Sequence, residues 1–67
     1  MSVAKVINLV GNSNKSWEDA VEQAVNEANK TVRNITGVEV MNSTGVVHDG
    51  KIVEYRANVN IAFLVDD

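Results

Sequence analysis

Few residues in this chain are equipped for covalent or acid–base chemistry. Among its 67 residues there is no Cys, and His48 is the single His. A nucleophilic site needs a Ser, Thr or Cys beside a positioned base. His48 belongs to His48-Asp49-Gly50-Lys51, a turn sequence in which an imidazole is ordinarily solvated. Glu18, Asp19 and Glu22 cluster at the start of a helical pattern. Carboxylates there complement the helix dipole, which explains them without a catalytic pair. Gly11-Asn-Ser-Asn-Lys15-Ser16 leads from a strand into that helix, as a phosphate loop does, but no Gly directly precedes Lys15-Ser16. It reads as a polar connection ending in an N-cap, with anion binding at the helix N-terminus as the lesser alternative. Trp17 opens the apolar stripe of the helix, so core packing or a subunit contact is favoured over ligand stacking. Arg56 stands mid-strand on a polar face and needs a partner, for which Glu54 and Glu39 are candidates. An intersubunit ion pair is favoured for it over a ligand contact. No enzyme is expected.

The element that must position Arg56 is the longest in the chain. Ile52 to Val65 reads IVEYRANVNIAFLV and alternates. Val53, Tyr55, Ala57, Val59, Ile61, Phe63 and Val65 share one face. Glu54, Arg56, Asn58 and Asn60 lie on the other, with Ile52, Ala62 and Leu64. A period of two marks a strand with one apolar face. At ~3.3 Å per residue it runs roughly 45 Å. A compact domain of this size has a radius of gyration of about 11 Å. The strand therefore overruns its own core, which is a first sign of an oligomer.

The remaining elements follow in order. Val3 to Val10 is a short strand with apolar residues on both faces. Ser16 is the expected N-cap, with Asp19 three residues on as in a capping box. Trp17, Ala20, Val21, Ala24, Val25, Ala28, Thr31, Val32 and Ile35 form one helical stripe, placing a helix at about 17–34 with Gly37 as its C′ stop. Val38 to Val47 is the next strand. Asp49-Gly50 predicts a type I′ hairpin in which 48 faces 51. That register pairs Val46 with Val53, Thr44 with Tyr55, Asn42 with Ala57, Val40 with Val59 and Val38 with Ile61. On the other face it pairs Ser43 with Arg56, Met41 with Asn58 and Glu39 with Asn60. The order is strand, helix, strand, strand, an α+β βαββ chain read as one domain over 1–67.

Composition narrows the partners. Nine acidic and six basic residues give a net charge of −3 with no basic run, which argues against nucleic-acid binding. No apolar run approaches the ~20 residues of a membrane span, and the first residues do not form a signal peptide. Three Asn-X-Thr matches, at Asn29, Asn34 and Asn42, are then chance. The expected location is the cytoplasm. A chain this short buries only ~60% of its unfolded surface, and without disulfides self-assembly is the common remedy.

An ordered set of residues resembles the dodecin family. It comprises Val3-Ala-Lys-Val-Ile7, Leu9-Val-Gly11, Ser16-Trp-Glu-Asp-Ala20, Lys30-Thr-Val-Arg33 and Ile35, then Val38-Glu-Val40, Gly50-Lys-Ile-Val-Glu-Tyr-Arg56 and Ala62-Phe-Leu64. The resemblance covers nearly the whole chain. It implies an antiparallel three-stranded sheet with the third strand central, partly wrapped around the helix. It also implies a hollow homododecamer that stores or sequesters flavins such as FMN, riboflavin or lumichrome and is not an enzyme.

The family's flavin positions are altered here. Flavin-binding dodecins carry a Trp just after the helix, paired by symmetry about the isoalloxazine ring; this chain has Gly37. They carry a Gln shortly after the Tyr of the long strand; this chain has Arg56. Aromatic stacking is worth ~1–3 kcal/mol per base in nucleic-acid systems, so losing two platforms predicts weak flavin affinity. Ser16-Trp-Glu with no later Trp looks more like the flavin-poor branch, which includes calcium dodecins. No EF-hand loop is present. A calcium site would have to be assembled across subunits from groups such as Glu39, Glu54, Asp66 or Asp67. Two readings thus stand: a weakened flavin-type shell, and a calcium-binding or purely structural one.

Overall fold

The computed structural model describes residues 3–65. Strand β1 (Val3–Ser13) is followed by helix α1 (Trp17–Asn29) and the hairpin β2 (Ile35–His48) and β3 (Lys51–Val65). The sheet is antiparallel with order β1-β3-β2, so the last strand is the central one, as the family resemblance implies.

The helix packs on one face of β3. Ala57, Val59 and Ile61 are fully buried there against Ala20, Ala24 and Ala28. Ala every fourth residue leaves a smooth helix surface that approaches the sheet closely. The closest approach is at Gly11, where an added Cβ would lie 1.9 Å from the carbonyl oxygen of Ala20. Only a residue without a side chain fits. This contact also explains why Gly11, Asn12 and Ser13, expected as loop, continue β1 opposite Ala57, Arg56 and Tyr55. Loop-like composition there reflects tight packing, not a turn.

The helix start is as expected in part. Ser16 Oγ accepts from the amide of Asp19 at 3.0 Å. The carboxylate of Asp19 does not complete a capping box. It accepts from the hydroxyl of buried Ser13 at 2.6 Å, while Ser13 Oγ accepts from the Lys15 amide at 2.9 Å. Ser13 therefore ties the end of β1 to the first turn of the helix.

The helix end differs from expectation. It stops at Asn29, with Lys30 as C-cap and no basic residue in the last turn. Thr31 and Val32 both donate their amides to Ala28 O, at 3.1 and 3.0 Å, which closes the last turn. Asn34, at φ 62°, takes the left-handed conformation and turns the chain into β2. Gly37 is thus not a helix stop. It lies within β2 opposite Ala62, and a Cβ built there meets nothing within 4 Å.

The hairpin turn is as the sequence predicts. His48 faces Lys51, and Asp49 and Gly50 have φ of 52° and 75°, the left-handed pair of a type I′ turn. Val40–Val59, Glu39–Asn60 and Val38–Ile61 also pair as expected. Between them the register moves by one. Asn42 faces Asn58, Ser43 faces Ala57, Thr44 faces Arg56, Gly45 faces Tyr55 and Val46 faces Glu54. The expected pairs there, such as Thr44 with Tyr55, are not formed. Shifts after Val40 and after Val46 open and close the offset. Trp17 lies beside the offset stretch: its Nε1–H donates to Thr44 O at 2.8 Å, and a Cβ added at Gly45 would sit in ordinary contact with Cζ2 at 3.7 Å.

The molecule measures 52 × 20 × 13 Å with a radius of gyration of 13.7 Å. A helix of 13 residues is ~20 Å long at 1.5 Å per residue, well under half of the long axis. The sheet accordingly extends past its cover at both ends. Gly11→Ala is expected to cost about 1–3 kcal/mol or more through overpacking, whereas Gly37→Ala should leave stability within about 0.5 kcal/mol. Urea denaturation of the two variants checks the contrast. Gly50→Val should lower the melting temperature, because a β-branched residue is strained at φ 75°.

Candidate functional site

The face of the sheet away from the helix carries Gly37 and Arg56. Down β3 it presents Arg56, Asn58, Asn60, Ala62 and Leu64, which alternate with the buried residues. The two neighbouring strands extend each of these into a row. Asn12, Arg56 and Thr44 form one, then Val10, Asn58 and Asn42, then Asn8, Asn60 and Glu39, then Val6, Ala62 and Gly37. Three polar rows thus give way to one of small and apolar residues. Val6 and Val10 are each 55% exposed on this face.

Gly37 and Arg56 therefore share a face, but one subunit does not bring them together. Gly37 lies opposite Ala62, six residues from Arg56, or ~20 Å along the strand. Arg56 is held by its neighbour Glu54, whose Oε1 accepts from Nη2 at 2.8 Å and from Nε at 2.9 Å. Glu39, the other candidate partner, sits two rows away opposite Asn60. The Glu54–Arg56 pair is half exposed, so its worth to stability is at most about 1 kcal/mol. Its chemical effect is to neutralise Arg56 in place.

Between the two family positions lies a cluster that sequence reasoning did not single out. Asn8 Nδ2 donates to Asn58 Oδ1 at 2.7 Å, to Asn60 Oδ1 at 2.9 Å and to the Val59 carbonyl at 3.1 Å. Asn60 Nδ2 donates to Met41 Sδ at 3.2 Å. The Val59 carbonyl can only accept, which fixes the amide orientation of Asn8, and through it those of Asn58 and Asn60. The signal was present in the sequence. Asn58 and Asn60 are two apart on one strand, and pairing β1 with β3 in register would have set Asn8 beside them.

All three aromatic side chains lie on the helix side. Tyr55 and Phe63 alternate with the outer residues of β3. Trp17 meets Tyr55 edge-on at 4.8 Å and 82°, and its Nε1–H donates to Thr44 O at 2.8 Å. Trp17 packs on Tyr55 at the hairpin end, outside the buried core, and remains 38% exposed. The outer face of one subunit offers a flavin amides, an arginine and small residues, but no aromatic platform.

The metal candidates are not gathered either. Among the described residues no three of His, Cys, Asp and Glu come close enough to hold an ion. Asp66 and Asp67 lie outside the described residues. The described residues enclose no pocket, and none of their helices is long and apolar enough to cross a membrane.

The chain is of the βαββ class, one helix seated on a three-stranded antiparallel sheet of order β1-β3-β2. The sequence matches the dodecin family over residues 3–66, and the chain belongs to that family. It is 35% identical over 63 residues to "Calcium dodecin" of Mycobacterium tuberculosis, spanning 94% of this chain and 89% of that protein. It is 29% identical over 65 residues to "Dodecin" of Thermus thermophilus, spanning 97% and 94%. Among solved structures, the Thermus thermophilus protein tt0972 superposes with a TM-score of 0.95 at 28% identity, covering 100% of this chain and 98% of that one. The calcium-chelating antigen calcium dodecin of Mycobacterium tuberculosis, described with a novel calcium-binding site, superposes with a TM-score of 0.83 at 32% identity, covering 97% and 93%.

Trp17→Phe retains the ring contact with Tyr55 and removes the bond to Thr44 O. It is expected to cost about 1 kcal/mol, the usual net worth of one hydrogen bond. Chemical denaturation followed by circular dichroism measures it.

Proposed function

We propose that the chain is the subunit of a cytoplasmic, non-enzymatic homododecameric shell that sequesters a flavin-type ligand between outer sheet faces. The observation that carries this reading is the mismatch between sheet and helix. Val3, Val6, Val10, Val47, Val53 and Val65 all remain exposed in the single subunit. The surface of 4909 Å² compares with about 4,200 Å² for a compact chain of 7.3 kDa. Further copies of the same chain cover such surface without any other component. Gly37 and Arg56, ~20 Å apart on one subunit, would then meet only across subunits. Flavin affinity is reduced, because Gly37 offers no stacking surface and Arg56 is already paired with Glu54.

A second reading is a calcium-binding shell. The 35% identity to "Calcium dodecin" favours it. Its ligands would come from Glu39 and from Asp66 or Asp67 of adjacent subunits.

Light scattering should give a mass near twelve times 7.3 kDa at micromolar concentration. A stable folded monomer defeats the shell. Riboflavin fluorescence should be quenched weakly by the native protein and at least about ten-fold more tightly by Gly37→Trp with Arg56→Gln, since a stacked ring is worth ~1–3 kcal/mol. Open space at Gly37 and its ordinary backbone make that Trp tolerable. A folded, assembled double variant with no gain shows that 37 and 56 do not line the site. A rise in melting temperature with calcium and none with flavin selects the second reading.

A further inference from the structure

We infer that Met41 is a modification site: a thioether that a peroxide oxidises stereoselectively, to one of its sulfoxide epimers. Met41 is the one methionine among the described residues. It falls at the register shift between Val40 and Asn42 and has no partner on β3. An extra residue in a strand is left out of the ladder and can turn its side chain. Here Met41 is 52% exposed, and its sulfur lies against Asn60 on the outer face.

A chain of bonds fixes which group of Asn60 meets that sulfur. The Val59 carbonyl can only accept, so it takes the Asn8 amide nitrogen, at 3.1 Å. The same nitrogen donates to Asn60 Oδ1 at 2.9 Å. Asn60 Nδ2 is thereby turned to Met41 Sδ, at 3.2 Å. A thioether sulfur carries a pair of lone pairs, and in a chiral residue oxidation at each gives a different epimer. The Asn60 N–H occupies one of them, and the other is free to react. It attacks one oxygen of hydrogen peroxide, and the O–O bond breaks. The departing hydroxide takes the proton of the transferred oxygen and leaves as water. Sulfur is oxidised, the peroxide is reduced, and the product is a sulfoxide of one configuration. A weak acceptor thus becomes a polar one on the outer face.

The test treats the native protein with hydrogen peroxide, beside N-acetylmethionine amide as an internal reference. Peptide mass spectrometry follows Met41, and the epimer-specific methionine sulfoxide reductases distinguish the products. Met41 should oxidise within about ten-fold of the reference rate, since susceptibility follows exposure. One epimer should exceed the other by at least about five-fold, the factor that one net hydrogen bond supplies. Asn60→Asp keeps the oxygen that accepts from Asn8 and removes the donor to sulfur, so the ratio should fall to near one. Circular dichroism checks its fold. Where that variant does not fold, Asn8→Ala, which lets the Asn60 amide turn, decides in the same way. Near-equal epimers in the native protein overturn the inference, as does a ratio unchanged in the deciding variant. A Met41 that stays reduced after the reference is consumed also overturns it. Light scattering of the same samples reads assembly separately, so the shell stands or falls on its own result.

Discussion

The packing of three alanines on the central strand is the contact on which the rest of this structure depends. Ala20, Ala24 and Ala28 lie against Ala57, Val59 and Ile61, and these six are the buried apolar core among the described residues. A core so small requires close approach, because dispersion falls off steeply with distance. Close approach in turn dictates Gly11, over which the helix backbone passes. It dictates Ser13 as well, whose hydroxyl bridges the strand end to Asp19 where the chain turns into the helix. Everything the helix does not cover, at both ends of β3 and on the outer face, is left for other surfaces.

Much of the fold was legible because its signals are local. Alternation over Ile52–Val65, the alanine stripe, the Ser16 cap and Asp49-Gly50 each fix a conformation within a few residues. The βαββ order followed from them. The failures have a common cause in contacts between distant residues. Thr31, Val32 and Ile35 continue the helical period, yet the chain leaves the helix after Asn29 and reverses at Asn34. An Asn in the left-handed region is a weaker signal than the Gly at 37 that drew the expectation. The shifted register of residues 42–46 is of the same kind. Alternation favours an unbroken hairpin, and no period within β2 or β3 marks the two places where the register moves.

The candidate site was legible to a lesser degree, for a related reason. Arg56 was expected on the polar face of the long strand and lies there, because a face is a matter of parity along a strand, whereas Gly37, expected as a helix stop, lies in β2. Their separation along β3, and the presence of three asparagines between them, is a matter of how β1 and β2 register against β3. Asn8 is fifty residues from Asn58 in sequence. No period within either strand reveals that their amides touch. Glu54, two residues from Arg56, illustrates the contrast: it was one of two candidate partners, and the pair it forms lies within one chain, not between subunits as was favoured.

An exposed amide cluster also bears on how such a protein would couple ligand and assembly. Hydrogen bonds between exposed amides gain little over bonds to water. The same bonds are stronger once a second surface excludes solvent, because the local dielectric falls. In the proposed shell, an outer face covered by a neighbour would have to satisfy the unspent Asn58 and Asn60 donors or leave them buried at a cost of about 1–3 kcal/mol each. A ligand that satisfies them removes that cost, and so stabilises the assembled state over the free subunit. By linkage, whatever binds only between subunits shifts the equilibrium toward assembly in proportion to its concentration over its Kd. Replacing a large aromatic by Gly37 lowers the stacking part of this coupling and leaves the polar part intact. In the proposed shell, ligand choice would then rest on hydrogen-bond complementarity more than on ring area.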